Sequence, residues 1–283
     1  MINKDPIDKR IIKKIFNSTK GKNFHRRALQ SNISEIKMRL NDHMIRFNPH
    51  DPIGARIYTY GSHTRKSIDY AINLLKQKDK LLNNHNCVEL GGNIGTHTIY
   101  MHLHNIFKKI YVVEPEKTNF DLLTRNIFEN NLENKTSLIN AAISLKSTKL
   151  KLYIDKNNSG AHSLVVKQNK NSFQVVDALS PNLLFKKYNI KNVGFIFLDI
   201  EGLEIDIILE LLQIVDKNIP IYFEFIPEFS SRSKVQKFFK IIADRYNNLI
   251  FFKETKSDFF TKSFTNFNEL FNLKFKQCDL LIY

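Results

Sequence analysis

The chain has few of the residues that build disulfide scaffolds and membrane spans. Its 283 residues include two cysteines, seven prolines, nine glycines and no tryptophan. Cys87 and Cys278 lie far apart, each inside an apolar run, so we expect small core residues and no disulfide framework. The N-terminal stretch MINKDPIDKR has no apolar signal segment, and no apolar run approaches the roughly 18 residues that a membrane helix needs. We therefore expect a cytoplasmic protein without a membrane span.

Negative charge is also scarce in this sequence. The 28 Asp and Glu residues against 43 Lys and Arg residues give a net charge of +15 at pH 7. Such a charge is typical of proteins that bind nucleic acid. However, Lys, Asn, Ile and Phe are abundant together along the whole chain, and runs such as DKRIIKK interleave basic with apolar residues as a helix face does. We favour a lysine-rich surface, and nucleic-acid binding stays an alternative.

The spacing of apolar residues changes near residue 80. Residues 1–80 contain three patterns of helical spacing, which predict a helical N-terminal extension that caps the rest. These are DPIDKRIIKKIFN, SNISEIKMRLNDHMIRF and SIDYAINLLKQ. Residues 81–283 alternate short β-rich runs with helical stretches, which predicts an α/β domain with a mostly parallel seven-stranded sheet flanked by helices. The runs are CVEL, KIYVVE, TSLINAA, VGFIFLDI, IPIYFEF, NLIFF and CDLLIY, and KLKLYIDKNNSGAHSLVV predicts an inserted β-hairpin.

The glycine-rich stretch CVELGGNIG, residues 87–95, follows a predicted strand and precedes a predicted helix. In open parallel sheets, ligands bind at the carboxyl ends of the strands, where glycines let the backbone approach them and the next helix offers its amides. The dinucleotide fingerprint Gly-x-Gly-x-x-Gly does not occur here, which argues against a nicotinamide dehydrogenase. The chain instead has Glu89-x-Gly91-x-Asn93-x-Gly95.

The polar residues of this region favour a nucleoside that carries an amino acid. A carboxylate at Glu89 can accept a hydrogen bond from an ammonium group. Asn93 tolerates a positive φ and can replace a glycine. Glu114 ends the next strand, where an acid typically accepts from both ribose hydroxyls. S-adenosylmethionine has an ammonium group and a ribose and needs no phosphate cradle, so it fits these residues.

Four stretches, in this order along the chain, resemble the FkbM family of methyltransferases. They are VELGGNIGTHT, YVVEPEKTNFDLLTRNIFENN, INAAIS and FLDIEGLEIDIILEL, within residues 85–226. The resemblance implies the Rossmann-like class I methyltransferase fold, with S-adenosylmethionine as cofactor. The family usually has aspartate where this chain has Glu89 and alanine where it has Gly92.

The resemblance also implies roles for individual residues. It assigns cofactor binding to the glycine loop and to three strand ends, namely Glu89, Gly91, Gly92, Asn93, Gly95, Glu114, Asn140 and Asp199. Within this set the loop lines the methionine part, Glu114 holds the ribose and Asn140 lies near the adenine. Residues 1–80 are outside the resemblance and are expected to help shape the acceptor site.

Catalysis is expected at Asp199 and Glu201. Asp199 ends an apolar strand, where a charge is costly unless it is solvated or paired. Methyl transfer depends mainly on positioning, but a hydroxyl acceptor must also lose its proton. Asp199 and Glu201 are therefore candidates for the base or for orienting the acceptor, whereas Glu204 fits the preference of acids for a helix N-terminus. These three acids could hold a divalent metal through oxygen ligands, but nothing further indicates one and we expect no metal site.

Four further residues are weaker candidates. Glu224 ends a predicted strand and would lie beside Asp199 if the two strands are neighbours. His97 lies at the start of a predicted helix after the glycine loop. It could face the acceptor, but a histidine in this position is more often simply partly exposed. His162 and Ser163 follow the predicted hairpin, in a segment that could fold over the site.

The sequence favours an O-methyltransferase that acts on a small-molecule or glycan acceptor with a hydroxyl group, such as a sugar or a secondary metabolite. One alternative is a nucleic-acid methyltransferase that modifies an RNA ribose or a base. Base-modifying enzymes of this fold often carry Asn/Asp-Pro-Pro-aromatic after the fourth strand. This chain has LDIEGLE there, which argues against base methylation but does not exclude methylation of an RNA ribose. The other alternative is a catalytically inactive basic binding domain.

Overall fold

The computed structural model describes residues 18–29, 33–81, 83–165, 172–216, 218–255, 259–272 and 275–283. The first predicted helix, in DPIDKRIIKKIFN, lies outside the described residues. Eight α-helices are described, which are α1 Thr19–Ala28, α2 Pro52–Tyr60, α3 Arg65–Gln77, α4 Thr96–Leu103, α5 Lys117–Glu129, α6 Pro181–Lys187, α7 Glu204–Ile214 and α8 Arg232–Ala243. Short 3₁₀ helices lie at Glu133–Lys135, Pro227–Phe229 and Phe267–Asn272.

The described strands form three sheets. They are β1 Ile36–Arg39, β2 Met44–Phe47, β3 Asn86–Leu90, β4 Ile110–Val113, β5 Thr136–Ile139, β6 Ala142–Ile143, β7 Thr148–Tyr153, β8 Phe173–Leu179, β9 Val193–Leu198, β10 Ile221–Phe225, β11 Leu249–Glu254, β12 Phe259–Phe264 and β13 Cys278–Ile282. The main sheet has the order β12-β11-β13-β10-β9-β3-β4-β5. Its five strands from β10 to β5 pair in parallel, and β13, β11 and β12 pair antiparallel.

All seven predicted strands are present in this sheet, and the predicted α/β fold is confirmed. The eighth strand, β12, was not predicted. Its sequence FFTKSF lies at the sheet edge, and only Phe264 of its six residues is buried. An edge strand of this kind lacks the continuous apolar run that marks the central strands.

The central strands bury both of their faces. Along β3 and β9, Val88 and Ile196 belong to one apolar cluster, and Cys87 and Phe195 belong to another. Helices α6, α7 and α8 cover the first face, and α3, α4 and α5 cover the second. Both cysteines are buried and free, as expected. In the described part of the chain, no helix has the length and apolar character that crossing a bilayer requires.

The prediction of a helix in SNISEIKMRLNDHMIRF is wrong, because two strands form within this stretch. Strands β1 and β2 form an antiparallel hairpin there, closed by a hydrogen bond from Leu40 N to His43 O at 2.9 Å. Ile45 and Phe47 are buried on one side of β2, a spacing of two residues that the helical pattern concealed. The turn residues Asn41 and Asp42 interrupt the apolar pattern, and they favour a turn over a helix.

The predicted inserted hairpin is correct for its first strand only. Strand β7 forms, but it pairs along its whole length with β8, which lies much later in the sequence. Its expected partner contributes one isolated bridge, between Tyr153 and Ser163. β6, β8 and β7 make a separate three-stranded sheet.

The strand order places a crevice at the carboxyl ends of β3 and β9. The chain runs from β3 to β4 and β5 on one side, and β9 pairs with β3 on the other. Connections that leave a parallel sheet in opposite directions open a space between them, which is where such sheets bind ligands.

Candidate active site

The glycine loop between β3 and α4 packs tightly against the neighbouring strand ends. Gly91, Asn93 and Gly95 have positive φ angles of 93°, 46° and 86°. A Cβ on Gly91 would lie 1.7 Å from the carbonyl oxygen of Asp199, and one on Gly92 would lie 2.3 Å from Val112 Cγ1. Glycine is therefore required at Gly91 by both its backbone conformation and the close approach of β9.

Glu114 joins this loop to the end of β4. Its Oε2 accepts a hydrogen bond from Asn93 N at 2.8 Å, and its Oε1 accepts one from Glu116 N at 2.8 Å. Burial raises the pKa of Glu114 to about 7. A carboxylate oxygen can accept more than one hydrogen bond, so each keeps acceptor capacity for a ligand hydroxyl. Glu114 also lines the cavity described below.

Glu89 lies behind the loop and does not line the cavity. It is 0% exposed, and its Oε2 accepts a hydrogen bond from the Thr98 hydroxyl at 2.6 Å. Its Oε1 is buried without a hydrogen-bond partner among the described residues. Burial raises the pKa of Glu89 to about 8. Because Glu89 does not line the cavity, its Oε1 could interact with the ammonium group of a ligand only through an intervening group such as water.

Asn140 is an exposed residue that supports the end of β4. Its Nδ2 donates to the carbonyl oxygens of Glu114 and Pro115, at 2.8 and 3.2 Å. Asn140 does not line the cavity, but its near neighbours Ala142 and Ile143 do.

A cavity of about 280 Å³ connects the glycine loop with the ends of β9 and β10. Its walls include loop residues Gly91, Gly92 and Asn93, then Glu114, the acids Asp199, Glu201 and Glu224, and Arg56 and His63 from the N-terminal segment. A second cavity of about 310 Å³ shares Arg56, His63, His97, Asp199, Glu224 and Gln277 with the first. The cofactor loop and the predicted catalytic acids therefore face one connected space.

Three carboxyl groups meet at the ends of β9 and β10. One oxygen each of Asp199, Glu201 and Glu224 lies within 4.8 Å of the others. Burial and the neighbouring carboxylates raise the pKa of Glu201 to about 7 and hold those of Asp199 and Glu224 well above their usual range. Glu204 points elsewhere, because its carboxylate accepts the backbone N–H groups of Ile200 and Gly202, both at 3.0 Å.

Two histidines, His63 and His97, also line the cavity. His97 Nε2 lies 2.6 Å from the Thr64 hydroxyl, and its ring centroid lies 4.9 Å from that of Phe197. His63 stacks on His97 with centroids 6.2 Å apart, and its Nδ1 is buried without a hydrogen-bond partner among the described residues. Burial lowers the pKa of His97 to about 4 and that of His63 to about 3. Both imidazoles are therefore neutral at pH 7.

The segment after β7 lies over the acids, where the sequence suggested it could fold. The Ser163 hydroxyl donates to the carbonyl oxygen of Glu201 at 2.6 Å. His162 lines the cavity, and its Nδ1 accepts from Asp155 N at 3.1 Å. Ser159 O accepts from the side chain of Asn93 at 3.2 Å, so the segment also contacts the glycine loop.

Sequence reasoning missed Arg56 and His63. Both lie in NPHDPIGARIYTYGSHTRK, whose Pro, Gly and Asp residues predict a loop with at most one short strand. That prediction is wrong where helix α2 forms, and no local pattern connects the two residues to the glycine loop. The only local signal was a helix start, Asp51 followed by Pro52, which predicts helix α2 but not its position over the cavity.

Comparison with known proteins gives one family match. The family model described as the methyltransferase FkbM domain matches residues 89–250. No curated protein matches the sequence.

Several solved structures resemble the fold at low sequence identity. The FkbM methyltransferase from Methylobacillus flagellatus is 12% identical with a TM-score of 0.48, and the match covers 81% of this chain and 50% of that one. The O-methyltransferase from Bacillus cereus in complex with SAH is 11% identical with a TM-score of 0.44, covering 77% and 80%. The tRNA m1G37 methyltransferase from M. jannaschii is 12% identical with a TM-score of 0.44, covering 90% and 55%.

Proposed function

Since the chain belongs to the FkbM family of methyltransferases, we propose that it methylates a hydroxyl group of a sugar, a glycan or a secondary metabolite. S-adenosylmethionine is its methyl donor. The observation that carries the proposal is the cavity in which the glycine loop and Glu114 face Asp199 and Glu201.

The residues of the loop fit the cofactor. The backbone at Gly91 and Gly95 has positive φ, and at Gly91 the carbonyl oxygen of Asp199 leaves no room for a side chain. We propose that Glu114 accepts from the ribose hydroxyls with the acceptor capacity that Asn93 N and Glu116 N leave free. The unpartnered oxygen of Glu89 supports an ammonium group bound through water.

The adenine is proposed to lie beside Asn140, in the apolar part of the cavity. Ala142 and Ile143 line that part, and both are buried. Asn140 is fixed by its hydrogen bonds to Glu114 O and Pro115 O, so it can hold this end of the cavity in shape.

When bound, S-adenosylmethionine supplies a methyl group on a sulfonium centre, whose displacement depends mainly on positioning. We propose that Asp199 and Glu201 orient the acceptor hydroxyl and that a carboxylate oxygen takes up its proton. The pKa of Glu201, raised to about 7 by burial and by Glu204, is close to that of an effective base at neutral pH. Arg56, His63 and His97 are proposed to shape the acceptor side of the cavity.

The first test is calorimetric titration of the full chain with S-adenosylmethionine. We expect micromolar binding by the wild type and a loss of at least about tenfold in Glu114→Ala, because hydrogen bonds to a charged group contribute about 1.5–3 kcal/mol each. Glu210→Ala is the matched control, since Glu210 is an exposed acid on α7. Thermal unfolding of both variants checks that the loop around Glu114 still folds.

The second part of the test identifies the acceptor atom. Labelled methyl donor is supplied with a panel of hydroxylated sugars, glycans and phenols, and with RNA. A methyl ether on a small acceptor supports the proposal, and transfer to RNA alone would favour the nucleic-acid alternative. Absence of S-adenosylmethionine binding by folded wild-type protein would refute the assigned cofactor site.

A further inference from the structure

We propose that Asp199, Glu201 and Glu224 form a binding site for a divalent cation on the acceptor side of the cavity. The role of the ion in orienting the acceptor rests on the proposed methyl transfer, whereas the binding of the ion does not depend on it. One oxygen of each carboxylate lies within 4.8 Å of the others. The parallel register of β9 and β10 brings Asp199 and Glu224 together, because Leu198 pairs with Phe223 directly before them.

Glu224 gives independent support for a ligand at this site. It is 7% exposed, and its Oε2 is buried without a hydrogen-bond partner in the described part of the chain. Its other oxygen accepts a hydrogen bond from Gln277 Nε2, which fixes the carboxylate in place. Burying an ionised carboxylate oxygen with no donor is costly, and a cation from solution would offset that cost.

The protein itself supplies no compensating charge to the three acids. Among the described residues, no ion pair includes Asp199, Glu201 or Glu224. Arg56 lines the same cavity but does not pair with them. Three ionised carboxylates within 4.8 Å of one another repel, and a doubly charged ion from solution relieves that repulsion.

The ligand set and spacing suit a hard cation. Carboxylate oxygens are preferred by Mg²⁺, Mn²⁺ and Ca²⁺. Two ligands on one ion are separated by at most about twice the metal–oxygen distance, roughly 4.2 Å for Mg²⁺ and roughly 5 Å for Ca²⁺. The 4.8 Å limit therefore admits a common ion with little movement. The sequence led us to expect no metal site, because nothing beyond the acids Asp199, Glu201 and Glu204 indicates an ion there. The structure replaces Glu204 with Glu224 in the cluster.

A cation here also narrows the class of acceptor. Three protein ligands leave about three coordination positions of a six-coordinate ion for water or acceptor oxygens. An acceptor with two neighbouring oxygens, such as the vicinal diol of a sugar, would occupy two of these positions at once. The carboxylates would then orient the hydroxyl through the ion.

The test uses Mn²⁺ as probe, because free aqueous Mn²⁺ is measured directly by electron paramagnetic resonance. The full chain is treated with chelator, exchanged into chelator-free buffer and titrated with MnCl₂. We expect one site, with binding weakened at least about tenfold in Glu224→Gln. Mg²⁺ is expected to compete for it. Glu201→Gln is the second variant, since the Glu201 carboxylate accepts no hydrogen bond from the described residues and its loss does not remove a fold contact.

Glu254→Gln is the matched control, because Glu254 lines the second cavity but lies outside the cluster. The amide oxygen of that variant can still accept from Ser67. Equal Mn²⁺ affinity in the wild type and in either cluster variant would overturn the proposal, as would no binding by the wild type at millimolar Mn²⁺. A titration with S-adenosylmethionine in the presence of chelator tests the cofactor site separately from the cation site. Cofactor binding without Mn²⁺ binding would refute the cation site and leave the proposed cofactor site intact.

Discussion

Glu89 is a residue whose charge is poorly compensated by its surroundings. It is completely buried, its one hydrogen bond comes from Thr98, and no cation compensates it among the described residues. Burial raises its pKa from 4.5 to about 8. The protonated form is therefore favoured by folding, and its contribution to stability is complete below pH 4.5. That contribution is lost as the pH rises towards 8.

We expect Glu89→Gln to remove this pH dependence. The free energy of unfolding of the wild type, minus that of the variant, should fall by roughly 1 kcal/mol per pH unit between pH 5 and 8. Urea unfolding without cofactor at four pH values measures it. The amide of the variant keeps an oxygen for the Thr98 hydroxyl, so the fold contact is preserved. An exposed control, Glu210→Gln, should show no such trend, and a constant difference for Glu89→Gln would mean that Glu89 is ionised throughout.

At the scale of elements, strand β2 pairs with a described strand, β1, along one edge only. Two asparagines, one within α5 and one at its C-terminal cap, form hydrogen bonds with the backbone of the other edge. Asn126 accepts from Arg46 N at 2.7 Å and donates to Arg46 O at 3.0 Å. Asn130, one helical turn later, accepts from Met44 N and donates to Met44 O, both at 2.8 Å. Asn126 also donates to Ile94 O at 2.8 Å, which connects the hairpin and α5 to the glycine loop.

The contact with Ile94 separates the expected effects of the two asparagines. Asn126→Ala leaves buried backbone groups of Arg46 and Ile94 unpaired, which should lower the free energy of unfolding by roughly 2 kcal/mol. It should also weaken S-adenosylmethionine binding by roughly fivefold, because the loop loses a support worth about 1 kcal/mol. Asn130→Ala is the control, since it destabilises the same strand without contacting the loop. Equal cofactor affinity in both variants would show that the hairpin does not support the loop.

The elements around the site differ in how far the sequence reveals them. The sequence singles out Glu89, Glu114 and Asp199 because each acid lies at or next to the end of an apolar strand, and strand ends of a parallel sheet meet at one edge. The structure places Glu114 and Asp199 on the cavity and Glu89 behind the loop. The hairpin β1–β2 was not recognised, because its apolar residues satisfy helical and strand spacing equally over so short a stretch. Arg56 and His63 were missed because their position depends on how α2 docks, which is a long-range contact without a local pattern.

At the scale of the molecule, the apolar clusters cross the predicted boundary near residue 80. Ile68, Ile72 and Leu75 of α3 share one buried cluster with Phe195 and Phe197 of β9. Another cluster joins the N-terminal segment to the glycine loop and its neighbouring helices, through Ile45, Phe47 and Ile57 with Ile94, Ile99 and Leu122. Residues from both sides of the boundary therefore lose their apolar contacts together when either side unfolds.

From this shared core we expect the chain to unfold in one cooperative transition. Differential scanning calorimetry should give a calorimetric enthalpy equal to the van't Hoff enthalpy, which is the criterion for a two-state process. S-adenosylmethionine binds only the folded state, so it should raise the midpoint of that whole transition. If residues before 81 formed a separate unit, two transitions would appear and the cofactor would shift only the one that contains the glycine loop. The contact of Asn126 with both Arg46 and Ile94 argues against that outcome, because it ties the N-terminal hairpin to the cofactor loop itself.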